Sequence, residues 1–169
     1  MSTTKTISIL FYKGEGTIFE KLIRWWTKSP YCHTEFLRSD GLCHSNDRFT
    51  KISRLEHFEI ASCDWDRHDI ELPCDIIDRI EQRQLSKIGT YYDWKGIVFS
   101  QFLPFGWHSR ERWFCSKSNA DDLLYAYSFM RRAKNPLYLP FLESLRSLAH
   151  YHPHELSPSD LYKLMPDNI

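Results

Sequence analysis

At 169 residues the chain is long enough for one domain with a hydrophobic core and too short for two of ordinary size, so residues 1–169 read as a single unit. Lys plus Arg and Asp plus Glu both number 22, which removes the basic excess expected of a nucleic-acid binder or a protein drawn to an anionic surface. Five irregularly spaced cysteines, with no charged start leading into a long apolar run, argue against a secreted disulfide scaffold and for a reducing, cytoplasmic setting.

In chain order, the β-branched and aromatic residues from Thr6 to Tyr12 predict a strand that ends at the turn-like Lys13-Gly14-Glu15-Gly16. Ile9-Leu10-Phe11-Tyr12, the longest clean apolar run near the N-terminus, falls far short of the roughly 20 residues that span a bilayer, so no transmembrane segment is expected. Thr17 and Glu20 have capping-box spacing, and Ile18, Phe19, Leu22, Ile23 and Trp26 follow at helical spacing, predicting a helix over 17–27. Aromatic residues make up 15% of the chain; they read as a core and rim of large side chains, with an apolar substrate groove as the sharper alternative. The Trp25-Trp26 pair reads as core plus rim rather than as a lipid anchor.

Tyr31 to Arg38 reads as a strand, Asp40-Gly41 as a tight hairpin turn, and Leu42 to Asn46 as the return strand. With Asp40 and Gly41 as the two turn residues, Arg38 lies opposite Cys43 and Leu37 opposite His44. Alternation then puts His33, Glu35, Leu37 and His44 on one face and Cys32 and Cys43 on the other. Residues 47–57 read as polar and irregular. Two further strands are expected at 58–62 and 68–72, with Asp64-Trp65-Asp66 between them. Asp75 is placed to cap a helix that Gly89 ends, and Tyr91 to Ile97 enters a short helix that Pro104 and Gly106 terminate. A long helix follows over 116–132, another over 138–149, and a last short one opens at Ser157-Pro158-Ser159-Asp160. The fold class expected is α+β, a small antiparallel sheet packed against helices.

The chemistry converges on Cys115, which stands after Trp113 and Phe114 at the start of the long helix. Unpaired backbone N–H groups and the positive end of the helix dipole stabilise a thiolate there. A free thiol titrates near about 8.5, so a nucleophile working at neutral pH also needs a base. His33 fits that role, with His44, Glu35 or Asn46 to orient its ring. Cys32-His33 and Cys43-His44 also look like two zinc ligand pairs, but alternation sends histidines and cysteines to opposite faces, so no metal is expected, nor any cofactor.

These pieces together resemble the circularly permuted branch of the NlpC-type papain-like cysteine hydrolases, which is related to the lecithin:retinol acyltransferases. The resemblance is carried by Gly16-Thr17-Ile18 with Ile23-Arg24-Trp25, by Ser29-Pro30-Tyr31-Cys32-His33, and by Asp40-Gly41 with His44-Ser45. It continues through Gly89-Thr90-Tyr91-Tyr92-Asp93-Trp94, Trp113-Phe114-Cys115-Ser116 and Ser157-Pro158-Ser159-Asp160-Leu161, and so covers nearly the whole chain. The histidine strand precedes the cysteine, which is the permuted order. The resemblance implies a permuted papain-like fold with Cys115 as nucleophile and His33 as base. It places His44 at the return-strand site of the orienting residue, with Glu35 the second candidate. Lys117 stands where relatives often carry an acid; a cation there still favours a thiolate. An oxyanion hole would come from the backbone N–H of Cys115 or Ser116, helped by a side chain from Tyr91, Tyr92 or Trp113. The implied substrate is an amide in a peptide or peptidoglycan fragment. The alternatives are a lipid ester or amide, or a non-catalytic binding or inhibitory protein on the same fold.

Overall fold

The computed structural model describes residues 3–46, 52–57, 60, 63–93 and 114–165. Of the strand expected at 58–62 only Ile60 is described, and residues 94–104 of the short helix expected before Pro104, with Trp113, lie outside the described residues.

The strands are β1 (Thr4–Tyr12), β2 (His33–Leu37), β3 (Cys43–Asn46), β4 (Ser53–Glu56) and β5 (Trp65–Pro73). Among the described residues they form one antiparallel sheet in the order β4-β3-β2-β1-β5. Among the described residues the α-helices are α1 (Ile18–Thr27), α2 (Cys74–Lys87), α3 (Cys115–Ala133), α4 (Leu139–Ser144) and α5 (Pro158–Leu164). The α+β class is as expected from sequence.

β1 is the sheet's axis, paired along nine residues with β5 and along five with β2. Its middle, Ile7 to Phe11, is buried on both faces, so it reads as a continuous run rather than an alternating one. Ile7, Ile9 and Phe11 join Phe36, Ile70 and Leu72 on the face covered by helices. Ile76, Ile77 and Ile80 of α2 and Ala120, Leu123, Ala126 and Met130 of α3 fill the space above them. Each fully buried aliphatic side chain here contributes roughly 1.5–3 kcal/mol by leaving water.

Several expected boundaries shift for local reasons. β4 occupies residues read as irregular: Ser53-Arg54-Leu55-Glu56 offers one apolar side chain, the polar composition tolerated at a sheet edge. β5 begins at Trp65, so Trp65 and Asp66 belong to a strand and not to a turn; Tyr31 donates a hydrogen bond from its hydroxyl to Asp66 at 2.5 Å. α2 starts at Cys74, after Pro73. Asp75 therefore lies inside its first turn, where its charge favours the helix dipole and it accepts from the Tyr138 hydroxyl at 2.6 Å. Gly89, at φ +81°, follows that helix as expected. The stretch 138–149 is α4 followed by a 3-10 turn over Arg146–His150. α5 opens as expected, with the Ser157 hydroxyl accepting from the Asp160 N–H at 3.1 Å.

The hairpin between β2 and β3 departs by one residue. Gly41 N–H donates to Arg38 C=O at 3.1 Å, Arg38 N–H donates to Leu42 C=O at 2.9 Å, and Gly41 stands at φ +84°. That is a three-residue loop, Ser39-Asp40-Gly41, with glycine in the left-handed position. The register is Leu37 opposite Cys43 and Phe36 opposite His44, not Arg38 and Leu37 as expected. A slip of one residue exchanges the two faces of the returning strand. Cys43 and Ser45 therefore share the face of Glu35 and Leu37, while His44 shares that of Phe36.

α1 also differs from expectation. Thr17 N–H donates to the Glu20 carboxylate at 2.6 Å, as the capping spacing predicts. Yet no described side chain of this helix is fully buried, and Trp25 is 72% and Trp26 48% exposed. The tryptophan pair is not core.

Candidate active site

α3 enters the molecule with its N-terminus. Phe114 precedes it in extended backbone (φ −123°, ψ 163°), and each of the first six helical residues, Cys115 to Ala120, is buried. The N–H groups that a helix start leaves unpaired thus face the interior, where their field is poorly screened. The side chains beneath are tied to their surroundings: Ser116 Oγ donates to Leu156 C=O at 2.7 Å, and Asn119 Nδ2 donates to Thr34 Oγ1 of β2 at 3.0 Å. The second of these fixes the helix start against the strand that carries His33.

His33 opens β2, and its Nε2 lies 2.7 Å from Glu35 Oε1. The two residues stand two apart on one strand, so alternation delivers both to the same face. Ser45, brought alongside by the corrected register, donates from Oγ to the same Glu35 oxygen at 2.8 Å. Trp65 sets its ring edge-on to the imidazole, with centroids 6.2 Å apart. The Cys115 thiol is the other charged neighbour of His33, so the imidazole is influenced by a thiol and a carboxylate together.

The electrostatics of the pair follow from burial opposed by mutual attraction. Burial alone would lower the pKa of His33; the Cys115 thiolate and the Glu35 carboxylate beside it raise it well above its ordinary value. Burial alone would raise the Cys115 thiol; the His33 charge and hydrogen bond, then the backbone N–H groups of Thr34 and Ser116, pull it below its ordinary value. Both shifts act in the same sense, toward thiolate and imidazolium.

The sequence-expected residues sort as follows. Cys115, His33 and Glu35 come together. His44 does not join them: it is 1% exposed on the opposite face of the sheet, its Nε2 is 2.8 Å from Ser53 Oγ, and burial, with Lys87 and Arg38 nearby, holds its pKa down to about 3. Its expected position beside His33 is corrected by the hairpin register. Asn46 is buried farther along β3. Ser116 contributes its backbone N–H, its hydroxyl being engaged with Leu156. Tyr92 packs on Phe114 beside the thiol, whereas Tyr91 is 68% exposed and bridges to Ile52. Lys117 is buried with its ammonium 3.7 Å from Asp93 Oδ2, so its charge faces a carboxylate.

Two contributors escaped the sequence reading. Ser45 was hidden by the assumed two-residue turn; a glycine third in a Ser-Asp-Gly loop was the available signal for the longer one. The Thr34 N–H carries no side-chain signature at all. Among the described residues no group of three or more His, Cys, Asp or Glu is arranged to hold a metal ion.

Cys115 is 5% exposed and is reached through a narrow cleft. Its walls include Ile23, Trp26 and Thr27 of α1, Tyr92, Phe114, and Pro158 at the start of α5. Among the described residues no helix is long and apolar enough to cross a membrane. No family model, curated protein or solved structure matches the chain.

Proposed function

We propose that this protein is a thiol-dependent acyl hydrolase or transferase of the permuted papain-like kind, with Cys115 as nucleophile, His33 as acid and base, and Glu35 as the residue that orients His33. The observation that carries this reading is the imidazole–carboxylate pair, at 2.7 Å, whose charge acts on a thiol at a buried helix start. In this mechanism Cys115 Sγ, as thiolate, attacks the carbonyl carbon of the substrate. His33 protonates the leaving group, and a thioester remains on Cys115. A second acceptor, water or an acyl acceptor, then gives its proton to His33 and displaces the thiol. The backbone N–H of Cys115, at the positive end of α3, is available to the developing oxyanion. Glu35 keeps the ring in the tautomer that serves the thiol and stabilises its charged form.

By the family resemblance the scissile bond is an amide in a peptide or peptidoglycan fragment. A lipid ester or amide is the second reading, and it is supported by the apolar walls that Ile23, Trp26 and Phe114 give the cleft. A binding or inhibitory protein on the same fold would need no reactive thiol.

Alkylation at pH 6 separates these. An ordinary thiol is roughly 0.3% thiolate there. Cys115 is expected to react with iodoacetamide at least ten times faster than Cys32, Cys43, Cys63 or Cys74, each followed by peptide mass spectrometry. Equal or slower labelling of Cys115 would remove the enzymatic reading. Incubation with cell extract should then leave an acyl group on Cys115 whose mass distinguishes a peptidyl from a fatty acyl donor.

A further inference from the structure

We infer that the outward face of α1 is a docking surface for an anionic lipid bilayer. A surface helix ordinarily turns its apolar stripe to the core and its charges to water. α1 follows this rule only in part. Arg24 Nη2 ties it to the protein by donating to the Gly14 carbonyl and, at 3.2 Å, to Cys32 Sγ, and Ile23 and Trp26 turn toward the Cys115 cleft. A second apolar stripe faces out. Ile18, Leu22 and Trp25 recur at i, i+4 and i+7, one stripe, and are 88%, 45% and 72% exposed, with Trp26 alongside.

The charges beside that stripe choose the occupant. Lys21 and Lys28 are exposed on its flank, while Arg24 is turned to Gly14 and Cys32 and Glu20 to its own N-cap, so two cations stand beside the stripe in a chain whose total charge is zero. An apolar stripe with tryptophan at its margin and lysines beside it is the composition of a helix that lies in the plane of a membrane interface, which negatively charged headgroups hold in place. A second copy of the chain fits less well. A two-fold pairing through the stripe would bring lysines of like charge together.

Co-sedimentation of the full chain with vesicles tests this, using phosphatidylcholine alone and phosphatidylcholine with phosphatidylglycerol. Binding is expected to the anionic vesicles, at least about ten-fold tighter than to the neutral ones and weakened by salt. Ile18→Ser/Trp25→Ser should weaken it about ten-fold or more, and Lys21→Glu/Lys28→Glu should remove the preference for anionic lipid. These positions are exposed, and unchanged far-UV circular dichroism verifies folding of the variants. Cys115→Ala should bind as the wild type does, so the fate of this surface is read independently of chemistry at the thiol. Failure of the wild type to bind, equal binding to both vesicles, or indifference to Ile18→Ser/Trp25→Ser overturns the inference. So does a concentration-dependent dimer that the same double substitution abolishes.

Discussion

Glu35 is the residue on which the thiol's charge state turns at second hand. It accepts from Ser45 and sits 2.7 Å from His33, so its negative charge favours imidazolium, and imidazolium favours the Cys115 thiolate. Glu35→Gln retains an acceptor but removes the charge. The imidazolium then loses stability, the Cys115 pKa rises, and the pH profile of alkylation should move up by about one unit, roughly ten-fold in rate at pH 6. A profile that does not move would show that Glu35 is only packing. His44 makes the opposite case, a histidine kept neutral. Unfolded, it takes up a proton near about 6.5; folded, burial and the nearby Lys87 and Arg38 hold it down to about 3. The unfolded chain thus binds more protons throughout that window, and stability falls as pH drops from 6.5 toward 3. Between pH 7 and 4.5 the wild type should lose about 2 kcal/mol more than His44→Gln, measured by urea unfolding.

At the scale of elements, the seating of α3 matters most, because its N-terminus holds the thiol. Part of that seating is ionic. Lys87 of α2 places Nζ 2.6 Å from Asp122 Oδ1 and 3.0 Å from Asp121 Oδ2 of α3, and Gln84 Nε2 donates to Asp122 at 3.2 Å. Asp122 is fully buried, and burial raises its pKa despite the lysine. Lys87→Met leaves that carboxylate without its closest cation and should cost about 3–5 kcal/mol of unfolding free energy. Lys87→Met/Asp122→Leu should recover most of the loss, since a well-packed apolar pair replaces a desolvated ionic one. A double variant as unstable as the single one would show that the ion pair itself, rather than the stranded charge, supplies the stability.

For the whole molecule, the candidate site has no local existence. His33 and Glu35 lie on β2, and Cys115 starts a helix far along the chain; only packing of α3 on the sheet joins them. The fast alkylation of Cys115 at pH 6 should therefore vanish in urea at the same midpoint as the far-UV circular dichroism signal. Loss at a lower concentration would mean that the N-terminus of α3 opens before the core does.

The elements with strong local signals were legible in the chain. Thr17 with Glu20, Gly89 and Ser157-Pro158 marked helix ends because capping and positive φ are written in single residues. The β-branched run of β1 marked a strand, and the helix start at Cys115 and the His33 strand singled out a thiol and an imidazole, with His44 put ahead of Glu35 as the third member. Where the reading slipped, the signal was ambiguous or absent. Cys43 to Asn46 is buried at every position, so no alternation distinguishes its two faces, and a two-residue turn was as readable as the three-residue one. The choice between His44 and Glu35 beside His33 followed from that single step of register. The amphipathic pattern of α1 was plain, but periodicity states only that a helix has an apolar side. That Ile18, Leu22 and Trp25 meet water while Ile23 turns to the cleft goes with the tether of Arg24 to Gly14 and Cys32, a contact between segments that no local pattern encodes.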